Sequence, residues 1–193
     1  MGIISKNLKA IFFISSVLAT FSFELPSEWY KAGSNPGSYE MGIDKLAGYD
    51  GKNVATIKSV KEEIDGFGTL MQDFLAEKYK SKRIRMSGYI KSENVADWAG
   101  FWLRVDRKNS YQPLSFDNME NRAVKGTTDW KKYEIVLDVP RNASIIAFGA
   151  LLSGTGQIWF DNLKFEVVDN SVPVTGKISI SVKEPLNLNF EKD

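Results

Sequence analysis

The stretch Ile145–Val168 constrains the fold more than any other part of the sequence. It contains two apolar runs rich in β-branched and aromatic residues, separated by the segment Ser153–Gly156. Such runs on either side of a glycine-containing turn are typical of the two strands of a hairpin. In the second run the apolar positions change parity at Asp161, which predicts a β-bulge there. The stretch therefore predicts the closing hairpin of a β-sandwich.

Shorter alternating segments predict the remaining strands. Alternation of apolar and polar residues at period two marks a half-buried strand, and the segments that indicate strands are Asn53–Val60, Gly68–Phe74, Arg83–Ser92, Ala99–Arg107, Leu114–Met119 and Tyr133–Val139. Phe21–Trp29 predicts an opening strand, whereas Tyr30–Tyr49 predicts a long loop and Gly126–Lys131 a turn. No segment keeps a helical period for the length of a helix. The pattern predicts an all-β protein, a sandwich of two antiparallel sheets.

Composition limits the chemistry that the chain can carry. The 193 residues include no His and no Cys, which excludes Ser-His-Asp and Cys-His catalysis, zinc sites built on those ligands, and disulfides. Paired carboxylates, or a Lys or Tyr acting as acid or base, remain as catalytic options. Lys and Arg number 25 and Asp and Glu 24, so there is no basic excess for nucleic acid. The length fits one globular domain.

The first residues have the layout of a signal peptide. Lys6 and Lys9 precede an uncharged run, Ala10–Phe23, and cleavage is predicted after Ala19. The run is shorter than the roughly 20 apolar residues of a membrane-spanning helix, so no membrane span is expected in the mature chain. The predicted parts are a signal peptide at 1–19, a binding domain at 20–169 and a C-terminal extension or linker at 170–193. An exported protein is expected; if the first segment belongs to the fold, a cytoplasmic one.

Several weak motifs follow one another in an informative order. They are Phe23-Glu24, Trp29, the turn Thr127–Trp130 and the last strand Gly156–Asp161. With these motifs in this order, the chain resembles bacterial jelly-roll domains of the galactose-binding-like and carbohydrate-binding-module superfamily. The resemblance covers roughly Phe21–Asp169. Its segments AGFWLRVD and LSFDNME are most similar to uncharacterised members, some of them fused to regulators or hydrolases. The resemblance implies a jelly-roll β-sandwich and a binding module more than an activity.

A predicted sheet face combines aromatic and polar side chains. Proteins bind sugars with aromatic rings against the C–H faces and with polar groups that hydrogen-bond the hydroxyls. If the strands Arg83–Ser92 and Ala99–Arg107 pair, they present this mixture on a concave face. The candidate ligand-binding residues are Arg85, Tyr89, Trp98, Trp102, Arg104, Asp106 and Asp117, with Ser87, Phe116 and Asn118 beside them. The alternative is that a loop covers Trp102, and that Arg104 and Asp106 form an ion pair on the surface of a strand.

Glu24 and Asp161 form a second candidate site. The resemblance implies a structural calcium ion at the sandwich edge, held by an early acidic residue and an Asp of the last strand, and oxygen ligands suit that ion. The alternative is a surface Glu and an Asp that ends a bulge. The resemblance also implies that Trp130 and Trp159 are structural aromatics that seal the edge of the sandwich.

Three functions follow from these observations. The leading one is a non-catalytic, exported module that binds carbohydrate or a related polar ligand. The second is a protein-interaction or regulatory sensing domain without a sugar site, which would have a protein partner. The third is a glycoside hydrolase with Asp106 and Asp117 as candidate carboxylates, which would need to lie about 5 to 10 Å apart across a cleft.

Overall fold

The computed structural model describes residues 23–45, 47, 48 and 50–178, and its regular structure is β apart from three short 3-10 turns. The strands are β1 (Tyr30–Gly33), β2 (Tyr39–Asp44), β3 (Val54–Ser59), β4 (Phe67–Leu75), β5 (Lys82–Asp106), β6 (Ser115–Asp117), β7 (Val124–Val139), β8 (Ile145–Ser153), β9 (Gln157–Val168) and β10 (Lys177–Ile178). The described residues contain no helix that is long and apolar enough to span a membrane. The predicted signal peptide at 1–19 lies outside the described residues.

β5 is 25 residues long and belongs to both layers of a sandwich. Its first half pairs with β9 and β7, and its second half pairs with β8 and β6. One layer, called the back layer here, has the order β2-β3-β9-β5-β7; the other, the cleft layer, has the order β1-β4-β8-β5-β6, with β10 beyond β6. These pairings are antiparallel. The jelly-roll sandwich predicted from the sequence is confirmed.

The core lies between the two layers. On β5 the fully buried positions are even-numbered in the first half, as at Ile84 and Ile90, and odd-numbered in the second half, as at Phe101 and Leu103. The parity changes between residues 90 and 99, where the pairing with β7 is irregular and where Asn94 has a left-handed backbone with φ of 52°. This irregular segment lets one strand face the same core from both layers. The prediction of two separate strands, Arg83–Ser92 and Ala99–Arg107, was wrong, because the two segments are halves of β5.

The segment Ile145–Val168 forms two strands but not a hairpin. β8 pairs with β4 and β5 in the cleft layer, whereas β9 pairs with β3 and β5 in the back layer. The turn between them crosses from one layer to the other, with left-handed backbone at Gly154 and Gly156. The prediction of a hairpin was wrong because an apolar pattern shows that a strand is buried and does not show which strand it pairs with.

The predicted bulge is present in β9. Ser87 of β5 faces Lys164, and Tyr89, two residues later, faces Asp161, so β9 holds one extra residue here. Asn162 supplies the left-handed backbone with φ of 53°. After the bulge Leu163 and Phe165 pack against the core, whereas Val167 is 53% exposed.

Two segments predicted to lack strand structure contain strands. Tyr30–Tyr49 includes β1 and β2, and Gly126–Lys131 lies inside β7. β1 is an edge strand with few buried side chains, so composition alone does not reveal it. β2 does carry a strand signal, because its apolar residues Tyr39, Met41 and Ile43 alternate and the first two are buried in the core, but this signal lies within a segment of loop-like composition. Residues 170–178 also attach to the domain: Arg83 donates to the carbonyl oxygens of Asn170 and Val172, at 2.6 and 2.7 Å.

Candidate ligand-binding cleft

An open cleft of about 590 Å³ lies on the outer face of the cleft layer. All five main strands of this layer contribute to its lining. The principal lining residues are Ala32 on β1, Phe67, Thr69 and Met71 on β4, Ala147 and Leu151 on β8, Trp98, Trp102, Arg104 and Asp106 on β5, and Phe116 on β6, followed by Asn118. The cleft is therefore a feature of the sheet itself and its floor is built from regular strands.

The alternation of side chains along the strands explains the apolar floor. On β8 the side chains of Ile146, Phe148 and Ala150 face the core, and Ala147 and Leu151 face the cleft. Most of this strand is buried, because both of its faces are covered by apolar neighbours. The cleft face forms a small apolar cluster of its own around Trp102, separate from the core between the layers.

Trp102 lies across the neighbouring strand. It pairs with Gly149 on β8, and Gly149 pairs with Met71 on β4. The indole Nε1 nevertheless donates to Thr69 Oγ1 on β4 at 2.8 Å, so the ring must pass over β8 to reach it. Gly149 has no side chain to obstruct this path. Trp102 is therefore part of the cleft floor, with 9% of its surface exposed, beside the half-buried Trp98.

Arg104 and Asp106 form an ion pair at one end of the cleft. Arg104 donates Nε to both carboxylate oxygens of Asp106 at 2.9 Å and Nη2 to the carbonyl oxygen of Tyr111 at 3.0 Å. These bonds hold the guanidinium in place, and none of them uses Nη1. Among the lining residues these two carry the charges, and their charges balance. The lining is therefore mostly apolar and formally neutral.

A second polar pair lies on the same face, on the other side of β8. Asp73 on β4 pairs directly with Ala147, and the Tyr30 hydroxyl on β1 donates to Asp73 Oδ2 at 2.6 Å. Burial, this hydrogen bond and the charge of Asp73 raise the pKa of Tyr30 to about 12. The phenol therefore remains a protonated donor at neutral pH. Neither residue was predicted as part of a site.

Arg85 and Tyr89 do not join the other predicted ligand-binding residues. They lie on the first half of β5, on the outer face of the back layer, because β5 is one strand and its two halves do not pair with each other. Arg85 is bonded to Glu166 at 3.0 Å and lies 3.6 Å from Glu134. Placing these two residues in one concave face with Trp102 was wrong.

Asp117 also points away from the cleft. It pairs with the buried Leu103, while the neighbouring Phe116 pairs with Arg104 and faces the cleft. Burial raises the pKa of the Asp117 carboxyl, but hydrogen bonds from Arg122, Thr175 and the Met119 backbone outweigh it, and the net pKa is lowered. The Arg122 bond is 2.8 Å long. Asp117 is thus a structural ion-pair partner, and it shares no cleft with Asp106 as a hydrolase pair would.

Glu24 and Asp161 do not come together at a shared site. Glu24 pairs with Ile43 on β2, Ile43 pairs with Ala55 on β3, and Ala55 pairs with Phe160 on β9. Asp161 is the residue after Phe160. Three strand spacings separate the two positions, about 14 Å. The pair does not fit one calcium ion, and the described residues contain no group of three or more Asp or Glu placed to hold a metal.

The residues that sequence reasoning missed come from β1, β4 and β8. Phe67, Thr69 and Met71 alternate with core residues on β4, which was predicted as a strand without a role in binding. One signal was available: β8 is apolar at almost every position, and such a strand must be covered on both faces. The face of β8 that carries Ala147 and Leu151 could therefore have been predicted to line an apolar cleft.

Comparisons with known proteins agree with this fold. No protein-family model matches the chain. Among solved structures, the CBM22-1 xylan-binding domain of Paenibacillus barcinonensis Xyn10C superposes with a TM-score of 0.53 at 15% identity, covering 77% of this chain and 90% of that one. The CBM22-1–GH10 modules of Clostridium thermocellum Xyn10B, solved with xylohexaose, give a TM-score of 0.54 at 10% identity and cover 74% of this chain and 26% of that one. At these identities the likeness concerns the fold alone.

A curated bacterial protein is similar in sequence. The uncharacterized HTH-type transcriptional regulator YbfP of Bacillus subtilis (strain 168) is 45% identical over 171 residues, which cover 86% of this chain and 57% of the relative. The chain therefore matches somewhat more than half the length of that regulator.

Proposed function

We propose that this chain is a non-catalytic module that binds a neutral oligosaccharide in the cleft. The observation that carries the proposal is the floor of the cleft, where Trp98 and Trp102 lie with one compensated ion pair, Arg104 and Asp106. Aromatic rings offer an apolar surface to the C–H faces of sugars, and a fixed ion pair offers both donors and acceptors to hydroxyls. The fold shared with xylan-binding domains supports the proposal.

The charge of the cleft favours an uncharged ligand. An acidic sugar would need a cation to compensate its carboxylate, and Arg104 is already committed to Asp106 at 2.9 Å. We therefore expect neutral polysaccharides to bind more tightly than polyuronic acids.

A second candidate function is ligand sensing within a regulator. The 45% identity to a named HTH-type regulator supports it, because a sensing module would use the same cleft to report a sugar or a related polar ligand. In the protein-interaction alternative the cleft is covered by a loop or by a partner protein; the cleft is open in the described residues, so this alternative requires a partner that covers it.

Calorimetry tests the leading proposal. Wild-type protein is titrated with xylohexaose, cellohexaose and laminarihexaose, and with polygalacturonic acid as the charged contrast. We expect at least one neutral hexasaccharide to bind, and Trp98→Ala to lose that binding while retaining its fold. Failure of all three neutral hexasaccharides to bind would refute the proposal.

We also propose export, on the sequence alone. A mature chain that begins after Ala19, measured by N-terminal sequencing from the source organism, would support it, and an intact N-terminus would refute it. Calcium binding stays a prediction of the resemblance, no longer with Glu24 and Asp161 as joint ligands, and comparing melting in calcium and in chelator checks it.

A further inference from the structure

A row of four side chains crosses the outer face of the cleft layer beside the polar end of the cleft. Asp73, Ala147, Arg104 and Phe116 stand directly opposite one another on β4, β8, β5 and β6. Ala147, Arg104 and Phe116 line the cleft. Asp73 lies two residues along β4 from Met71, which also lines it, so the side chains of all four residues share the outer face. In this row the small Ala147 stands between two charged residues, Asp73 and Arg104.

The position above Ala147 is a notch with four walls. Asp73 and Arg104 bound it across the strands, with their Cα atoms two strand spacings apart, about 10 Å. Along β8 the Trp102 indole lies over Gly149 on one side, and Ile145, which is 40% exposed, lies on the other. Ala147 packs against Trp102 and forms an apolar floor. A notch of this kind matches a flat ligand ring that is apolar on its face and polar at two opposite edges.

The two polar walls have complementary chemistry. Asp73 accepts from Tyr30 through Oδ2, and that bond does not use Oδ1. Arg104 commits Nε to Asp106 and Nη2 to Tyr111, and those bonds do not use Nη1. A carboxylate oxygen can accept a hydrogen bond from a hydroxyl, and a guanidinium N–H can donate to an oxygen.

We propose that this notch is a subsite for one sugar ring, with Asp73 and Arg104 as its specificity-determining residues. The inference rests on the proposed function and deepens it. The ring lies on Ala147, a free hydroxyl on one edge donates to Asp73, and an oxygen on the opposite edge accepts from Arg104. The subsite therefore selects a neutral ring with a free hydroxyl on the edge that faces Asp73.

Three variants test the subsite by calorimetry with xylohexaose, cellohexaose and laminarihexaose, each titrated separately. Asp73→Asn keeps an acceptor for Tyr30 and should weaken binding about 10-fold, as expected for the loss of a hydrogen bond to a charged group. Ala147→Leu fills the notch and should weaken binding at least as much. Glu93→Gln removes a carboxylate from the exposed surface of β5 outside the cleft and should leave the affinity unchanged.

The combined variant gives the sharpest result. If Asp73 acts on a ring seated over Ala147, then Asp73→Asn should have no further effect in the Ala147→Leu background. Wild-type affinity in folded Asp73→Asn, checked by its melting curve, would overturn the subsite while leaving the proposed function intact. Wild-type protein that binds none of the three hexasaccharides would overturn both.

Discussion

Trp102 and Trp159 lie on opposite outer faces of the sandwich and are anchored in the same way. Each indole passes over its neighbouring strand and donates Nε1 to a residue one strand further on, Thr69 for Trp102 and Asp44 for Trp159, both at 2.8 Å. The anchoring geometry therefore does not distinguish a ligand-binding ring from a structural one.

The surroundings of the two rings do differ. Trp102 packs with Ala147 and Leu151 in an apolar cluster. The Nζ atom of Lys91 lies 5.5 Å from the centre of the Trp159 ring, and the same outer face carries the ion pairs of Arg85 with Glu166 and Glu134. An apolar concave face has a surface to offer to a ligand, whereas the charges on the back layer satisfy one another. The comparison shows that neighbouring side chains are more informative here than exposure.

Replacing each tryptophan by alanine should give the largest difference between the faces. Trp102→Ala should lower the free energy of unfolding by about 3 to 5 kcal/mol, because a nearly buried ring leaves a cavity. Trp159→Ala should cost less, because its ring is half-buried. Urea unfolding measures both. Calorimetry on the folded variants should show that Trp102→Phe and Trp98→Ala lose glycan binding and that Trp159→Ala keeps it. Lost binding in Trp159→Ala, with binding retained in Trp102→Phe and Trp98→Ala, would contradict the comparison.

The buried ion pair near the cleft should respond to acid. Asp117→Asn should lower the free energy of unfolding by about 2 kcal/mol at neutral pH, because it weakens a charged hydrogen bond to Arg122. The folded-state pKa of Asp117 is lowered, so its contribution is present above the unfolded pKa near 4 and is lost as the pH falls below it. The difference between wild type and variant should therefore shrink near pH 3. A difference that does not change between pH 7 and pH 3 would contradict this assignment.

The partly exposed ion pairs of the back layer should matter least. Arg85→Ala should shift the Tm by less than about 2 °C, because ion pairs that remain partly exposed to solvent contribute little and salt screens them. Glycan affinity should not change, since Arg85 lies on the face opposite the cleft. Melting in low and high salt checks the first expectation. Lost glycan binding in this variant would mean that the back layer takes part in recognition.

Local sequence patterns predicted most of the strands and the core. Ile135, Leu137 and Val139 alternate on β7 and are all buried, and β7 ends before Pro140 as predicted. The parity change at Asp161 correctly located a bulge, because a bulge leaves a direct trace in the spacing of apolar residues. Side-chain periodicity is a local property, and these features depend on nothing beyond it.

Strand partners could not be predicted in the same way. The hairpin error at β8 and β9, and the error of placing Arg85 beside Trp102, both arose because pairing depends on distant segments. Trp98, Trp102, Arg104 and Asp106 do come together, since alternation along one strand brings them to one face. Asp73 and Ala147 could not be added from the sequence, because their positions depend on register between three strands.

One measurement addresses the central claim directly. In a nuclear magnetic resonance titration, each indole Nε1–H gives its own signal, so the two faces can be monitored in one experiment with the neutral hexasaccharides. The account predicts that a bound hexasaccharide shifts the signals of Trp98 and Trp102 and leaves that of Trp159 in place. Shifts confined to Trp159, or no shift of any indole at saturating xylohexaose, cellohexaose and laminarihexaose, would contradict it.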